Sequence, residues 1–414
     1  SVLQLTSIPF PSRSVHPPSS PYSPLSLPQS SLPLPFPHLT PSQMSSITVL
    51  GIDSLLSKHI VSHLLSPSSS SFLPSSPSSI RLWSSQSTVN HIVPVTGVES
   101  VRSFTGIDQL EEAVKDVQFV INAHEYRDWR GMPDVKRLQQ ENVDFVSHLL
   151  SLLSPNTSLI HISTTFLQTW SRWPNIAGKE QIAEGYRSGW PFKEYCTSKA
   201  VAEKTVLSRE GRSLVLRVVP LYGEGDESSI VTDAIKISSF FNSTIPVIGD
   251  RGGALQMAYA GNIAVGVLRA CSFCLPLSPS SSPSSSLTRI IILTDDTPVR
   301  DPLNILLPLA KNGKLHESSY SIPFFVVFVP FFLISSLIRL LSLCIPLPAL
   351  LRELPDPSFL YFFFRHWTFF NSFKARTFID HSDAFTQEEC QSRSASYYRK
   401  LTPSDISRFS WQPQ

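Results

Sequence analysis

The chain has 414 residues with a net charge of +2, and only 16% of its residues are charged, against roughly 25% in an average soluble protein. That balance gives no global field to draw in nucleic acid. Five scattered cysteines, an odd number, fit no disulfide framework of a small secreted domain. A core-building length and 42% hydrophobic residues exclude a wholly disordered chain.

Residues 1–43 carry eleven prolines, many serines, Arg13 and no Lys, Asp or Glu. Prolines block helix and ladder alike, so this stretch reads as disordered, or as sequence foreign to the natural chain with Met44 as a candidate start. Two further Ser/Pro tracts, Ser66–Ser79 and Pro276–Ser286, read as low-complexity insertions in surface loops.

Between these tracts strands and helices alternate. Strands are expected at Ile47–Gly51, Ile80–Ser84, Val117–Ala123, Ser158–Ser163 and Leu214–Val219. Helices are expected at Leu55–Leu65, Gln109–Lys115, Val135–Leu153 and Tyr195–Ser208. Continuous apolar strands separated by helix-length segments predict a doubly wound α/β fold, a parallel sheet covered on both faces, over residues 44–316. Residues 317–414 read differently. Ser318–Ile338 has no charge, Leu340–Leu351 adds twelve uncharged residues after Arg339, and Phe359–Phe373 holds nine aromatics in fifteen residues. About 20 apolar residues span a bilayer, and aromatic density suits its boundary, so this part is expected to be membrane-associated, the alternative being a buried helical hairpin in a soluble C-terminal lobe.

The sharpest chemical signal is Tyr195-Cys196-Thr197-Ser198-Lys199. Residues four apart share a helix face, and an ammonium beside a phenol lowers its pKa, fitting it for acid–base work. Alone, such a pair is weak. Thirty residues earlier, Ser163-Thr164-Thr165 closes a strand, where hydroxyls face a ligand in an α/β sheet, so Thr165 could hold a substrate oxygen. Asn142 is a further candidate, for holding a water or a backbone carbonyl near Lys199. The turn after the first strand keeps G-x-x-G-x-x-G spacing with Gly51, Ser54 and Ser57, and Asp53 adds a negative charge near the phosphate position. Ser84 stands at the end of the second strand, where an acid would hold an adenosine ribose, so charge does not separate NAD from NADP. The lone Cys271-x-x-Cys274 pair and the eleven His show no metal-ligand spacing, and no metal is expected.

Several stretches in order then carry a family resemblance: Tyr195-Cys196-Thr197-Ser198-Lys199-Ala200-Val201-Ala202-Glu203, Tyr222-Gly223-Glu224-Gly225-Asp226, Pro246-Val247-Ile248-Gly249-Asp250, Ala258-Tyr259-Ala260-Gly261-Asn262-Ile263-Ala264 and Thr294-Asp295-Asp296-Thr297-Pro298. From about Ile47 to Asp296 the chain resembles the 3β-hydroxysteroid dehydrogenase/isomerase branch of the extended short-chain dehydrogenases. The resemblance implies a Rossmann-type sheet with a small C-terminal substrate lobe and a membrane-associated segment. It implies oxidation of a 3β-hydroxyl on a steroid or sterol, with hydride passing to NAD and with NADP not excluded. Tyr195 would take the proton, Lys199 would orient the cofactor ribose and Thr165 would hold the substrate oxygen. Gly51, Ser54, Ser57, Ser84, Asn122 and Val218, with Tyr195 and Lys199 themselves, fall at cofactor-binding positions. A cytosol-facing catalytic domain on the endoplasmic reticulum or mitochondrial membrane is implied, and a homodimer is compatible with it. The sequence departs from the family at Ser54, Ser57 and Ser84, and in Ile121-Asn122-Ala123 and Val218–Pro220. These departures keep two alternatives open: a non-catalytic relative that binds sterol or a partner protein, and a dehydrogenase or reductase for another lipid alcohol.

Overall fold

In the computed structural model the described residues are 46–66, 73, 77–85, 100–169, 174–178, 180, 189–240, 244–250, 252–274, 289–300, 316–352, 354–401 and 405. The tracts 1–43 and 276–286, and most of 66–79, lie outside them.

Seven strands form one parallel sheet: β1 (Ser46–Leu50), β2 (Ser79–Ser84), β3 (Ser100–Thr105), β4 (Phe119–Asn122), β5 (Ser158–Thr164), β6 (Ser213–Val218) and β7 (Ile290–Leu293). Their spatial order is β7-β6-β5-β4-β1-β2-β3. The chain winds outward from β1 in both directions, so the order reverses between β1 and β4. A crevice opens above the carboxyl ends of strands at such a point. Register sets its floor, because Leu50 pairs with Trp83 on one side and with Asn122 on the other. Gly51, Ser84 and Ala123 therefore emerge at one level.

Alternation along β1 explains why both faces need a cover. Ile47 and Val49 join a core with Leu56, Ile60 and Leu64 of helix α1 (Leu55–Leu64) and with Ile263 and Val267 of the helix Ala260–Phe273. Leu50 points to the opposite core, with Trp83, Phe145, Ala202 and Val206. Helix α2 (Lys193–Ser208) packs there and forms a fully buried pair, Glu203 with Arg217 of β6, at 2.6 and 2.8 Å. Both charges are satisfied by a fork of hydrogen bonds, the arrangement that makes such burial tolerable.

Two expectations change in detail. The helix expected at Val135–Leu153 is interrupted by a wider π turn, Gln139–Asp144, which directs Asn142 into the interior. The uncharged stretch Ser318–Ile338 divides at Pro323. His316–Ile322 is a strand paired with Thr244–Ile248, and helix α3 (Phe324–Ser342) follows. Helix α3 has 19 residues and a mean hydropathy of 2.4, long and apolar enough to cross a membrane. Its seam of Phe324, Ser335 and Ile338 is buried, while Phe325, Val326, Leu333, Leu337 and Leu340 are exposed.

The chain after α3 returns to the body. Trp367–Phe370 pairs with Ala254–Leu255 and with Asn175–Gly178, and Phe370, Ala375 and Ile379 join the core that contains Ile47. A helix at Gln387–Lys400 opens on a capping box, Thr386 with Glu389, and its Tyr398 hydroxyl donates to Asp226 at 2.6 Å.

Candidate active site

The turn after β1 needs glycine once. Gly51 has φ +77°, and a Cβ there would lie 2.5 Å from the His124 Cα. Its amide and that of Ile52 both donate to the Trp83 carbonyl, tying the turn to the end of β2. The two serines at glycine positions bond to each other. Ser54 caps α1 by accepting from the Ser57 amide at 3.2 Å, and its hydroxyl donates to Ser57 Oγ at 2.9 Å. Ser57 is wholly buried, so of the two only Ser54 lines the crevice. The tie between turn and β2 also carries Asp53 over Ser84, whose hydroxyl donates to the Asp53 carboxylate. An acid thus stands at the end of β2 after all, delivered by the turn.

At the other end of the crevice the helix α2 register brings Tyr195 and Lys199 inward, both buried. They meet at a residue that the sequence reading missed. Glu125, three residues beyond β4, accepts from the Tyr195 hydroxyl and from Lys199 Nζ on the same oxygen, Oε2, each at 3.2 Å. Its other oxygen is in ion-pair contact with Arg127, whose Nε lies 3.0 Å away. Lys199 also donates to the Ile162 carbonyl at 3.0 Å. Burial pushes the Glu125 carboxyl up, but Lys199 and Arg127 outweigh it and hold it below its ordinary value. For Tyr195 the balance runs the other way. Burial, then the Glu125 charge, push the phenol well above its usual range, and Arg127 opposes them only in part. This direction is opposite to the one the four-residue spacing predicts, because burial dominates and, second to it, a carboxylate stands where the ammonium's influence was expected.

The remaining candidates sit around this point. Thr165 is buried and donates to the Val218 carbonyl at 3.3 Å, while Val218 lines the crevice. Ser163 also lines it, and its buried hydroxyl has no partner among the described residues. Asn142 is a brace. It accepts from the Tyr126 amide at 2.8 Å, donates to the Tyr126 carbonyl at 2.9 Å, and donates to Ser198 beside Lys199 at 2.9 Å. Asn122 bonds to His161 at 3.1 Å and accepts from the His124 amide at 3.2 Å, fixing the loop that carries Glu125. The stretch Tyr222–Asp226 and Asn262 hold the C-terminal segment: Asp226 takes Tyr398, and Asn262 Oδ1 accepts from the amides of Ala384 and Phe385. Among the described residues no group of three or more His, Cys, Asp or Glu is placed to hold a metal ion.

One wall of the crevice is aromatic. Trp129 and Phe166 line it, and behind them Trp129 stacks on Phe192 with centroids 5.0 Å apart. Phe359 and Phe362, from the helix Pro357–Phe364 next to α3, close the cluster. Phe192 has φ +47°, a left-handed conformation that a bulky residue rarely adopts, immediately before α2. With Glu125 and Arg127 in place the crevice holds about 60 Å³ of water-accessible space. Only position relative to strand ends pointed to Glu125 and Ser163: each lies at the carboxyl end of a central strand.

No protein-family model matches the chain, and no curated protein matches it. Solved structures do match. The chain is similar to UDP-glucuronic acid 4-epimerase from Bacillus cereus in complex with UDP-glucuronic acid and NAD, with 12% identity, TM-score 0.56, 86% of this chain and 100% of that one covered. It is similar to dTDP-glucose 4,6-dehydratase from Bacillus anthracis in complex with NAD, with 13% identity, TM-score 0.57, and 88% and 100% covered. An epimerase from Methanothermobacter thermautotrophicus aligns with 11% identity, TM-score 0.59, and 88% and 95% covered. The likeness spans nearly the whole of each neighbour and establishes the fold: the chain has the doubly wound architecture of these enzymes.

Proposed function

We propose that the chain is an NAD-dependent dehydrogenase of the extended short-chain type that oxidises a secondary alcohol on an apolar, sterol-like substrate. The observation that carries this reading is the convergence of Tyr195, Lys199 and the Ser163 hydroxyl, unpartnered among the described residues, beside an aromatic wall. The residues present fit the cofactor. Ser54 faces the crevice at the start of α1, and Asp53 stands at the end of β2, where a carboxylate suits ribose hydroxyls and repels a 2′-phosphate. That charge favours NAD over NADP. When bound, NAD supplies the hydride acceptor.

The chain's own residues would do the rest. Tyr195 Oη receives the substrate hydroxyl proton. Lys199, fixed by the Ile162 carbonyl, supplies the positive charge that makes phenolate accessible. Ser163 donates to the substrate oxygen, since the Thr165 proton is already given to Val218. Trp129, Phe166 and Phe192 exclude water from an apolar ring system. The neighbours' UDP-glucuronic acid and dTDP-glucose are diphosphates; the aromatic wall favours a lipid. The exposed apolar face of α3 supports the same reading, because a membrane-docked enzyme meets such substrates in the bilayer.

A second reading, a non-catalytic relative, is favoured by Glu125 occupying the Tyr195–Lys199 pair and by the Ser54–Ser57 bond. Titration of the purified protein with NADH and with NADPH, followed by nicotinamide fluorescence, separates the two. Micromolar binding of NADH, tighter than NADPH, and steroid-dependent NADH formation are expected. A flat titration overturns the dehydrogenase reading.

A further inference from the structure

The resemblance supplies a phenol, an ammonium and an alcohol side chain; the structure adds a fourth group that none of these motifs contains. Glu125 Oε2 is 3.2 Å from both the Tyr195 hydroxyl and Lys199 Nζ. We propose that Glu125 is a positioning residue of the site: its carboxylate withholds the lysine charge from the phenol, and must turn away from Lys199 before Tyr195 can act as a base. The inference rests on the dehydrogenase reading for its catalytic meaning, but its electrostatic content stands on the geometry alone.

Three features carry it. First, Tyr195 is the donor to Glu125, so the phenol proton is engaged in a charge-assisted bond that loss of the proton would destroy. Second, Lys199 has the Ile162 carbonyl and Glu125 as its neighbours, so its positive charge is answered by a negative one before it reaches Tyr195. Third, Glu125 has a place to go. Its side chain is 21% exposed, Arg127 with equal exposure already holds the other oxygen, and the two stand in the crevice that the reaction would use. Rotation toward Arg127 would keep one ion pair while releasing phenol and ammonium to each other.

The charged and titratable groups facing Tyr195 are few. Glu125 and Arg127 come from the loop after β4, Cys196 and Lys199 from its own helix, and His161 of β5 lies within reach of the Lys199 charge. Cys196 is buried with its thiol pushed well up, and burial, with Lys199 second, holds His161 well below its usual value, so both stay neutral across the working range. Glu125 is then the negative charge that controls the phenol.

The test uses the full chain without any cofactor. Ultraviolet difference titration of tyrosinate is run on the native protein and on Glu125→Gln, each paired with its Tyr195→Phe counterpart to isolate the Tyr195 signal. In Glu125→Gln the phenol is expected to ionise at least about one pH unit lower, a tenfold change in its ionisation constant. Glu125→Asp, one methylene shorter, keeps the charge and guards against a folding defect; it is expected to fall between the two. An unchanged Tyr195 midpoint in folded Glu125→Gln overturns the proposal. NADH titration of the same proteins reads the other question: a flat titration in both, with the midpoint shift intact, removes the dehydrogenase reading while leaving the role of Glu125 in place.

Discussion

At the β1–β2 end of the crevice polar groups answer one another: Ser54 with Ser57, Asp53 with Ser84, and the Gly51 amide with the Trp83 carbonyl. At the β5–α2 end they do not close so neatly. Ser163 has a buried hydroxyl with no partner among the described residues, and Tyr195, Lys199 and Arg127 all converge on one carboxylate. The first end is built to stand by itself. The second carries the cost of a partly desolvated charge cluster and an unmade hydrogen bond, and such costs concentrate where a protein binds or reacts. Substitutions at the first end should therefore register as stability and cofactor binding, and at the second as chemistry.

The largest effect is expected at the second end. Tyr195→Phe should lower kcat for alcohol oxidation by about 10²–10⁴-fold, the usual contribution of a positioned acid–base group, with the NADH dissociation constant unchanged. A matching loss of folding stability would erase the contrast. Next comes Gly51→Ala, which combines a left-handed φ with a Cβ driven against His124 backbone. Strain and overpacking together predict a loss of about 2–6 kcal/mol in denaturant unfolding. Ser54→Ala should cost ~1 kcal/mol as a lost cap, and Ser54→Gly only a few tenths. If Ser54→Ala lowers kcat while folding and NADH binding stay intact, the first end takes part in the chemistry and the contrast fails.

The gentlest test concerns Asp233, whose carboxyl is pushed up to about 8, by burial first and the neighbouring Asp226 second, while Lys236 and Arg127 oppose. A carboxyl raised above its unfolded value of about 3.9 favours the native state fully below that pH. The contribution is lost as pH rises through about 8. The melting temperature of the native protein should fall between about pH 5 and pH 9, and Asp233→Asn should lack that part of the fall.

Much of the fold was legible. Apolar runs such as Val49-Leu50 and Leu214–Leu216, set between helix-length segments, placed five of the seven strands. Ser100–Thr105 escaped because, as an edge strand with Arg102 and Ser103 both exposed and only Val101 and Phe104 apolar, it shows neither an apolar run nor a period of two. The helix Gln387–Lys400 was not among the expected elements, although Thr386-Gln387-Glu388-Glu389 carries the spacing of the capping box it opens on. The site was legible only in part. Tyr195 and Lys199 are four apart on one helix, a local fact. Glu125 reaches them from a different strand end, and Asp53 reaches Ser84 across 31 residues. No period in a sequence encodes such meetings; they follow from the register of β1 with β2 and β4.

The left-handed Phe192 has a mechanical consequence. A bulky side chain in that conformation costs about 1–3 kcal/mol and persists only where its surroundings hold it. Here Trp129 stacks on one face of the ring, while Phe166 and Phe362 brace it. Phe362 belongs to the apolar C-terminal region, so the pitch at which Tyr195 enters the crevice is anchored by residues 167 positions downstream in the chain. Loosening that clamp, by trimming the C-terminal region or by drawing its aromatics into another medium, would let the first turn of α2 unwind and swing the phenol off target. A stretch set apart by its apolar surface thereby holds the tension on the turn from which the phenol projects.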